Sequence, residues 1–125
     1  MGRLVTARDA TMPGRMIFVD YLGPAKRLAR VRDVTTREVA AALRVPREAV
    51  VVRRIVVEDP RDEVELWVEL SSEEQRYRLG QQLAERIATG LRDADDAVDV
   101  WVMYRVVPLS HAFLNGAPRG RGTFE

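Results

Sequence analysis

The sequence runs through one order of elements twice, and that repeat is the strongest limit on its fold. Leu43-Arg44 followed by Ala49-Val50 returns as Leu91-Arg92 followed by Ala97-Val98, an offset of 48 residues. The same offset sets Val19 on Trp67 and Val52 on Val100. Residues 16–21 (MIFVDY) are β-branched and aromatic and read as a strand. Gly23-Pro24 breaks it and opens a helix over residues 25–43, where Leu28, Val31, Thr35, Val39, Ala42 and Leu43 recur at helical spacing until Pro46 ends it. Residues 50–57 (VVVRRIVV) form a second strand. In residues 64–70, Val64, Leu66, Val68 and Leu70 alternate with Glu65, Trp67 and Glu69, so the two sets face opposite ways. Ser71-Ser72 before Glu73-Glu74 caps a second helix, because a serine oxygen satisfies free N–H groups and the carboxylates complement the helix dipole. That helix carries Leu79, Leu83, Ile87 and Leu91, with Gly80, Ala84 and Ala88 beside them to permit close approach to a sheet. Residues 98–107 make a fourth strand, and a short turn is expected around residues 111–114.

The predicted order is β-α-β-β-α-β. Strand–helix–strand units cross over right-handed into parallel pairs, so two of them side by side give an α+β fold: a four-stranded mixed sheet with both helices on one face. The expected layout is an arm over residues 1–12 and a single domain over 13–125, with repeats at 13–60 and 61–108 and a tail at 109–125. The second sheet face has no cover within one chain. Trp67, Trp101 and Met103, with Arg53 and Arg105, have the phase to point there, and a bare apolar face implies self-association.

Composition removes whole classes of chemistry. The chain of 125 residues has no cysteine, which excludes disulfides, thiolate zinc and iron–sulfur sites. His111 is the only histidine, too few for an imidazole metal cluster. Twenty Lys+Arg stand against 19 Asp+Glu, and a net charge of +1 argues against general nucleic-acid binding. No apolar run nears the roughly 20 residues of a membrane span, and no signal peptide is evident. The expected protein is cytoplasmic, with neither nucleic acid nor membrane as partner and no metal. Lys26 is the only lysine among the basic residues, the codon signature of a GC-rich bacterial genome.

The duplicated unit resembles the tautomerase superfamily, which includes 4-oxalocrotonate tautomerase, 5-carboxymethyl-2-hydroxymuconate isomerase, macrophage migration inhibitory factor and the chloroacrylic acid dehalogenases. Met12-Pro13 before the first strand, VPREAV at 45–50, SSEEQ at 71–75, QLAERI at 82–87 and VWVMYRVVP at 100–108 carry the resemblance. It implies a homotrimer that covers the bare sheet face, no cofactor, and a small anionic 2-oxo acid or enol as substrate. It also implies an amino-terminal proline as base, here Pro13. A free proline nitrogen is a secondary amine whose pKa a dry pocket and nearby cations bring toward neutral, and a base poised near the working pH is effective in moving a proton between carbons.

Within residues 1–125 Pro13 is internal, and its nitrogen is an amide without basicity. Two readings stand open. Either translation begins at Met12, which frees Pro13, or the arm is real and this member lacks the family's base. The arginine that the tautomerase branch places early in the second strand falls on Val51; Arg53, two residues on and on the same face, is the candidate substitute. Arg54 points the other way, toward a helix carboxylate or solvent. The dehalogenase branch's arginines fall on Ser72 and Gln75, its tyrosine on Met103 and its tail glutamate on Leu114, so dehalogenation is disfavoured. Arg105 is a second candidate carboxylate anchor, on the strand face opposite Tyr104. Arg15 sits where it would lower an amine pKa, and Phe113 where an aromatic walls the family's active site.

Two alternatives remain at this level. One is a trimeric tautomerase-like protein with a binding or structural role and no catalysis. The other is a ferredoxin-like small-molecule-sensing module, which shares the element order but does not pair its first two strands as neighbours.

Overall fold

The computed structural model describes residues 16–59, 61–93, 95 and 97–118. Strand β1 (Ile17–Leu22) leads through a single 3-10 turn at Ala25–Arg27 into helix α1 (Leu28–Leu43), and a second 3-10 turn at Arg47–Ala49 leads into β2 (Val50–Ile55). The second unit is β3 (Val64–Leu70), α2 (Glu73–Arg92) and β4 (Val100–Val106). The sheet order is β2-β1-β3-β4. β1 and β2 are parallel, β3 and β4 are parallel, and the two pairs meet antiparallel through β1 and β3. The ferredoxin-like alternative is thereby excluded, because β1 and β2 are hydrogen-bonded neighbours.

Alternation in the sequence became two distinct sheet faces. Val19 and Tyr21 of β1, Val50 and Val52 of β2, and Val64, Leu66, Val68 and Leu70 of β3 are buried under the helices with Val31, Val34, Val39, Leu83, Ile87 and Leu91. Gly80 lets α2 settle onto β4: a Cβ there would meet the Tyr104 ring at 3.3 Å. Gly90 does the same between helices, where an added Cβ would lie 2.8 Å from Cγ1 of Val34. Ser72 caps α2 as expected, its hydroxyl accepting from the Gln75 backbone N–H at 3.0 Å.

Several expectations need correction. The second strand stops at Ile55 rather than residue 57: Val56 and Val57 are β-branched but lie past Leu22, the last residue of β1 available for pairing. Helix α1 starts at Leu28, after the 3-10 turn, and ends before Pro46 because Arg44 takes the left-handed conformation with φ 59°. The 48-residue offset does not hold at the first strands. In β1 the odd-numbered residues Val19 and Tyr21 face the helices, whereas in β3 the even-numbered ones do, so Val19 is core and Trp67 lies on the opposite face. The tail contains more than a turn: after a 3-10 turn at Leu109–His111, β5 (Phe113–Leu114) and β6 (Ala117–Pro118) form a small hairpin. Asn115 and Gly116 both have positive φ, as a two-residue hairpin loop requires. Among the described residues no helix is long and apolar enough to cross a membrane.

Thr35 is fully buried in α1, and its hydroxyl has no hydrogen-bond partner among the described residues. Desolvating a hydroxyl without replacing its bonds to water is unfavourable. Thr35→Val keeps the shape and removes the stranded oxygen. It is expected to stabilise the protein by about 1 kcal/mol, seen as a higher urea midpoint at an unchanged slope.

Candidate functional site

Two clusters of arginine lie on this framework, and they differ in whether the charge is already answered. The first is on the sheet face away from the helices. Asp20, near the middle of β1, is 9% exposed and sits opposite Arg53 on one side and Trp67 on the other. Arg53 donates from Nε and Nη2 to Oδ1 of Asp20 at 3.0 and 2.8 Å, and Arg105 donates from Nη1 to Oδ2 at 3.2 Å. The Arg53 guanidinium lies 4.8 Å from the centre of the Phe18 ring, and that of Arg105 lies 5.3 Å from Trp67. Each planar cation therefore has an aromatic face beneath it and a carboxylate at its end, a geometry arginine suits better than lysine. Trp67 donates from its indole N–H to Glu65 at 2.8 Å, and Trp101 donates to Glu63 at 2.9 Å. The face is thus an open layer of rings and ion pairs, as the phase of Trp67, Trp101, Met103, Arg53 and Arg105 predicted.

The second cluster is a groove of about 640 Å³ between α1 and the outer edge of β2, lined by Ala29, Arg32, Asp33, Thr36, Arg47 and Val50 to Val52. Positions 29, 32, 33 and 36 fall at helical spacing, so a single stripe of α1 forms one wall. β2 is an outer strand, and its valines form the other wall. Arg32 and Arg47 have no hydrogen-bond or ion-pair partner among the described residues, unlike Arg27, Arg37, Arg53, Arg76 and Arg105, each of which holds a carboxylate. Asp33 is shared with Arg37 at 3.7 Å.

Tyr21 and Tyr104 offer no base near neutral pH. Burial pushes the Tyr104 phenol up to about 12. Its hydroxyl donates to the Gly80 carbonyl at 2.6 Å, on the helix side of the sheet and away from both clusters. Burial also raises Tyr21, against the opposing influence of Arg27 and Arg54, and its hydroxyl donates to the Pro24 carbonyl at 2.7 Å. Arg54, expected from its strand face to meet a helix carboxylate or solvent, instead donates to the Gly23 carbonyl at 3.0 Å and holds the turn after β1.

Arg53 and Arg105, named as anchors from sequence, are brought together, but around Asp20. Phe113 is 61% exposed on the terminal hairpin and joins neither cluster. Pro13 and Arg15 lie outside the described residues. Sequence reasoning missed Asp20, Arg32, Thr36 and Arg47. The polar stripe at helical spacing was the available signal for Arg32 and Thr36.

No protein-family model matches the sequence, and no curated protein does. Solved structures do. A native fused 4-OT is 20% identical with a TM-score of 0.59, covering 84% of this chain and 97% of its own. An asymmetric trimer of a wild-type fused 4-OT is 21% identical with a TM-score of 0.57, covering 86% and 97%. A macrophage migration inhibitory factor-like protein from Entamoeba histolytica shares the architecture at 4% identity, with a TM-score of 0.59 over 82% and 96%. The fold is that of the tautomerase superfamily. The paired parallel strands, the antiparallel junction of the two halves and the two helices on one face are therefore the tautomerase arrangement. At 4% identity it is held by face pattern and crossover length more than by particular residues.

Proposed function

We propose that the protein is a cofactor-independent tautomerase that moves a proton on a small 2-oxo acid or its enol, in a chain whose first residue is Pro13. One observation carries this reading: a sheet of tautomerase order with Pro13 four residues ahead of Ile17, the start of β1. Val50 is the register partner of Ile17 and lines the α1–β2 groove, so the arginine-bearing groove reaches the end of the sheet at which β1 begins, the strand that the Pro13 base precedes in sequence. A carboxylate fixed by a guanidinium presents the adjacent carbon to that base, and the cation stabilises the enolate that forms. Arg53 and Arg105 already hold Asp20, so a substrate carboxylate on that face shares them with it. The fold supports the reading by likeness; the chemistry is a proposal about these residues.

The test is expression from Met12, so that removal of the initiator frees Pro13, followed by an assay of phenylenolpyruvate ketonisation. Turnover that is lost in Pro13→Ala supports the reading, and an inert shortened chain overturns it.

A second reading, binding without catalysis, draws on a specific observation. The positions where the family places arginines hold Val51, Ser72 and Gln75, and the last two are taken up in capping α2. An inert but folded shortened chain is the outcome that favours it.

Both readings include a homotrimer, supported by the open aromatic face and by the trimeric assembly of a similar fold. Light scattering is expected to give three times the chain mass of 14.2 kDa, and a monomer would remove the assembly from the proposal.

A further inference from the structure

We infer that the α1–β2 groove, through Arg32 and Arg47, holds the carboxylate of the substrate, in place of the arginine positions that the sequence pattern singles out. The inference rests on the tautomerase reading for the reaction, but its observations are separate. Arg32 belongs to the α1 stripe and Arg47 to the 3-10 turn before β2, so one wall of the groove and the turn that leads into the other each supply an arginine. In a chain whose other arginines mostly end on a carboxylate or a carbonyl, these two have no partner among the described residues. Arginine offers a rigid fork of donors that fits a carboxylate, and Thr36, which lines the same groove, carries a hydroxyl donor. The outer edge of β2 at Val50, Val51 and Val52 gives the groove apolar surface against which a hydrocarbon or aryl substituent loses contact with water. The occupant fitted by this arrangement is a small 2-oxo acid or enol with one carboxylate and an apolar tail.

Arg53 and Arg105 are poorer anchors for a physical reason. Asp20 already accepts three hydrogen bonds from them, so a substrate carboxylate on that face competes with a carboxylate that is covalently held in place. An intramolecular partner has a high effective concentration and is not displaced by a dilute ligand.

The experiment has two arms. In the chain beginning at Pro13, Arg32→Ala and Arg47→Ala are expected each to raise KM for phenylenolpyruvate about tenfold or more with kcat within a few-fold. Arg47→Lys is expected to recover part of the loss, and Arg86→Ala, an exposed arginine of α2, to leave KM unchanged. In the full chain, calorimetric titration with phenylpyruvate is expected to show Kd raised to the same extent by the same two substitutions. That arm needs no turnover. If the shortened chain is inert but the titration still depends on Arg32 and Arg47, the tautomerase reading fails and the groove assignment stands. If KM or Kd moves with Arg53 or Arg105 and not with Arg32 or Arg47, the groove assignment is overturned.

Discussion

A chain that begins at Pro13 is expected to ketonise an enol at least about a hundredfold faster than the chain that begins at Met1, the scale of a positioned general base. The difference comes from one atom. Within the longer chain the Pro13 nitrogen is a tertiary amide whose lone pair is delocalised into the carbonyl. At a terminus it is an amine, with an ordinary pKa in the range of about 7.7–8. The active form of a base is the unprotonated one, so kcat/KM is expected to rise with pH through the amine pKa and level off above it. A neighbouring cation disfavours the protonated amine and lowers that pKa. Arg15→Ala is therefore expected to shift the rising limb to higher pH. Tyr104, pushed up to about 12 and bonded to the Gly80 carbonyl, contributes nothing to the profile below pH 10. A flat profile, or equal rates in the two chains, would show that Pro13 is not the base. Circular dichroism of both chains separates a chemical difference from a folding one.

What the sequence revealed and what it concealed divide along a physical line. Facing is local: residues two apart on a strand share a side, so VELWVEL placed Leu66 in the core and Trp67 on the open face without knowledge of the partners. The same parity placed Arg53 and Arg105 together on one face. Their shared partner was not visible, because Asp20 is 33 residues from one and 85 from the other, and only the strand order brings the three together. The groove was hidden for the same reason. Arg32 and Arg47 line one groove because the crossover lays α1 along β2, and nothing near either residue announces the other. The hairpin in the tail was a different kind of miss. Asn115-Gly116 is a strong local signal for a two-residue loop, but the flanking strands are only two residues each, too short to show a period. The constant offset failed at the first strands because a repeat matched by residue identity ignores face. Shifting the match by one residue turns Val19 from core to surface.

Leu66 and Trp67 are adjacent, and truncating them is expected to give opposite kinds of loss. Leu66 is fully buried in β3, paired with Tyr21 of β1 and Val102 of β4, beneath the two helices. Leu66→Ala removes a side chain from a close-packed site that the strands on both sides cannot collapse to fill. It is expected to destabilise the fold by about 2–5 kcal/mol, as transfer and cavity terms combine. Leu66→Met, which nearly preserves volume, should cost less than about 1.5 kcal/mol. Trp67 contributes its ring to the opposite face, where it carries the Arg105 guanidinium and where no helix covers it. A trimer joined through that face loses its contact area in Trp67→Ala. Its melting temperature is then expected to fall most at low protein concentration, because stability that comes from association depends on concentration. Leu66→Ala should lower the melting temperature by the same amount at every concentration at which the assembly stays intact. If the two variants show the same concentration dependence, the open face is not the joining surface. If Leu66→Ala is mild, the face assignment of β3 fails, and with it the register that sets Trp67 beside Asp20.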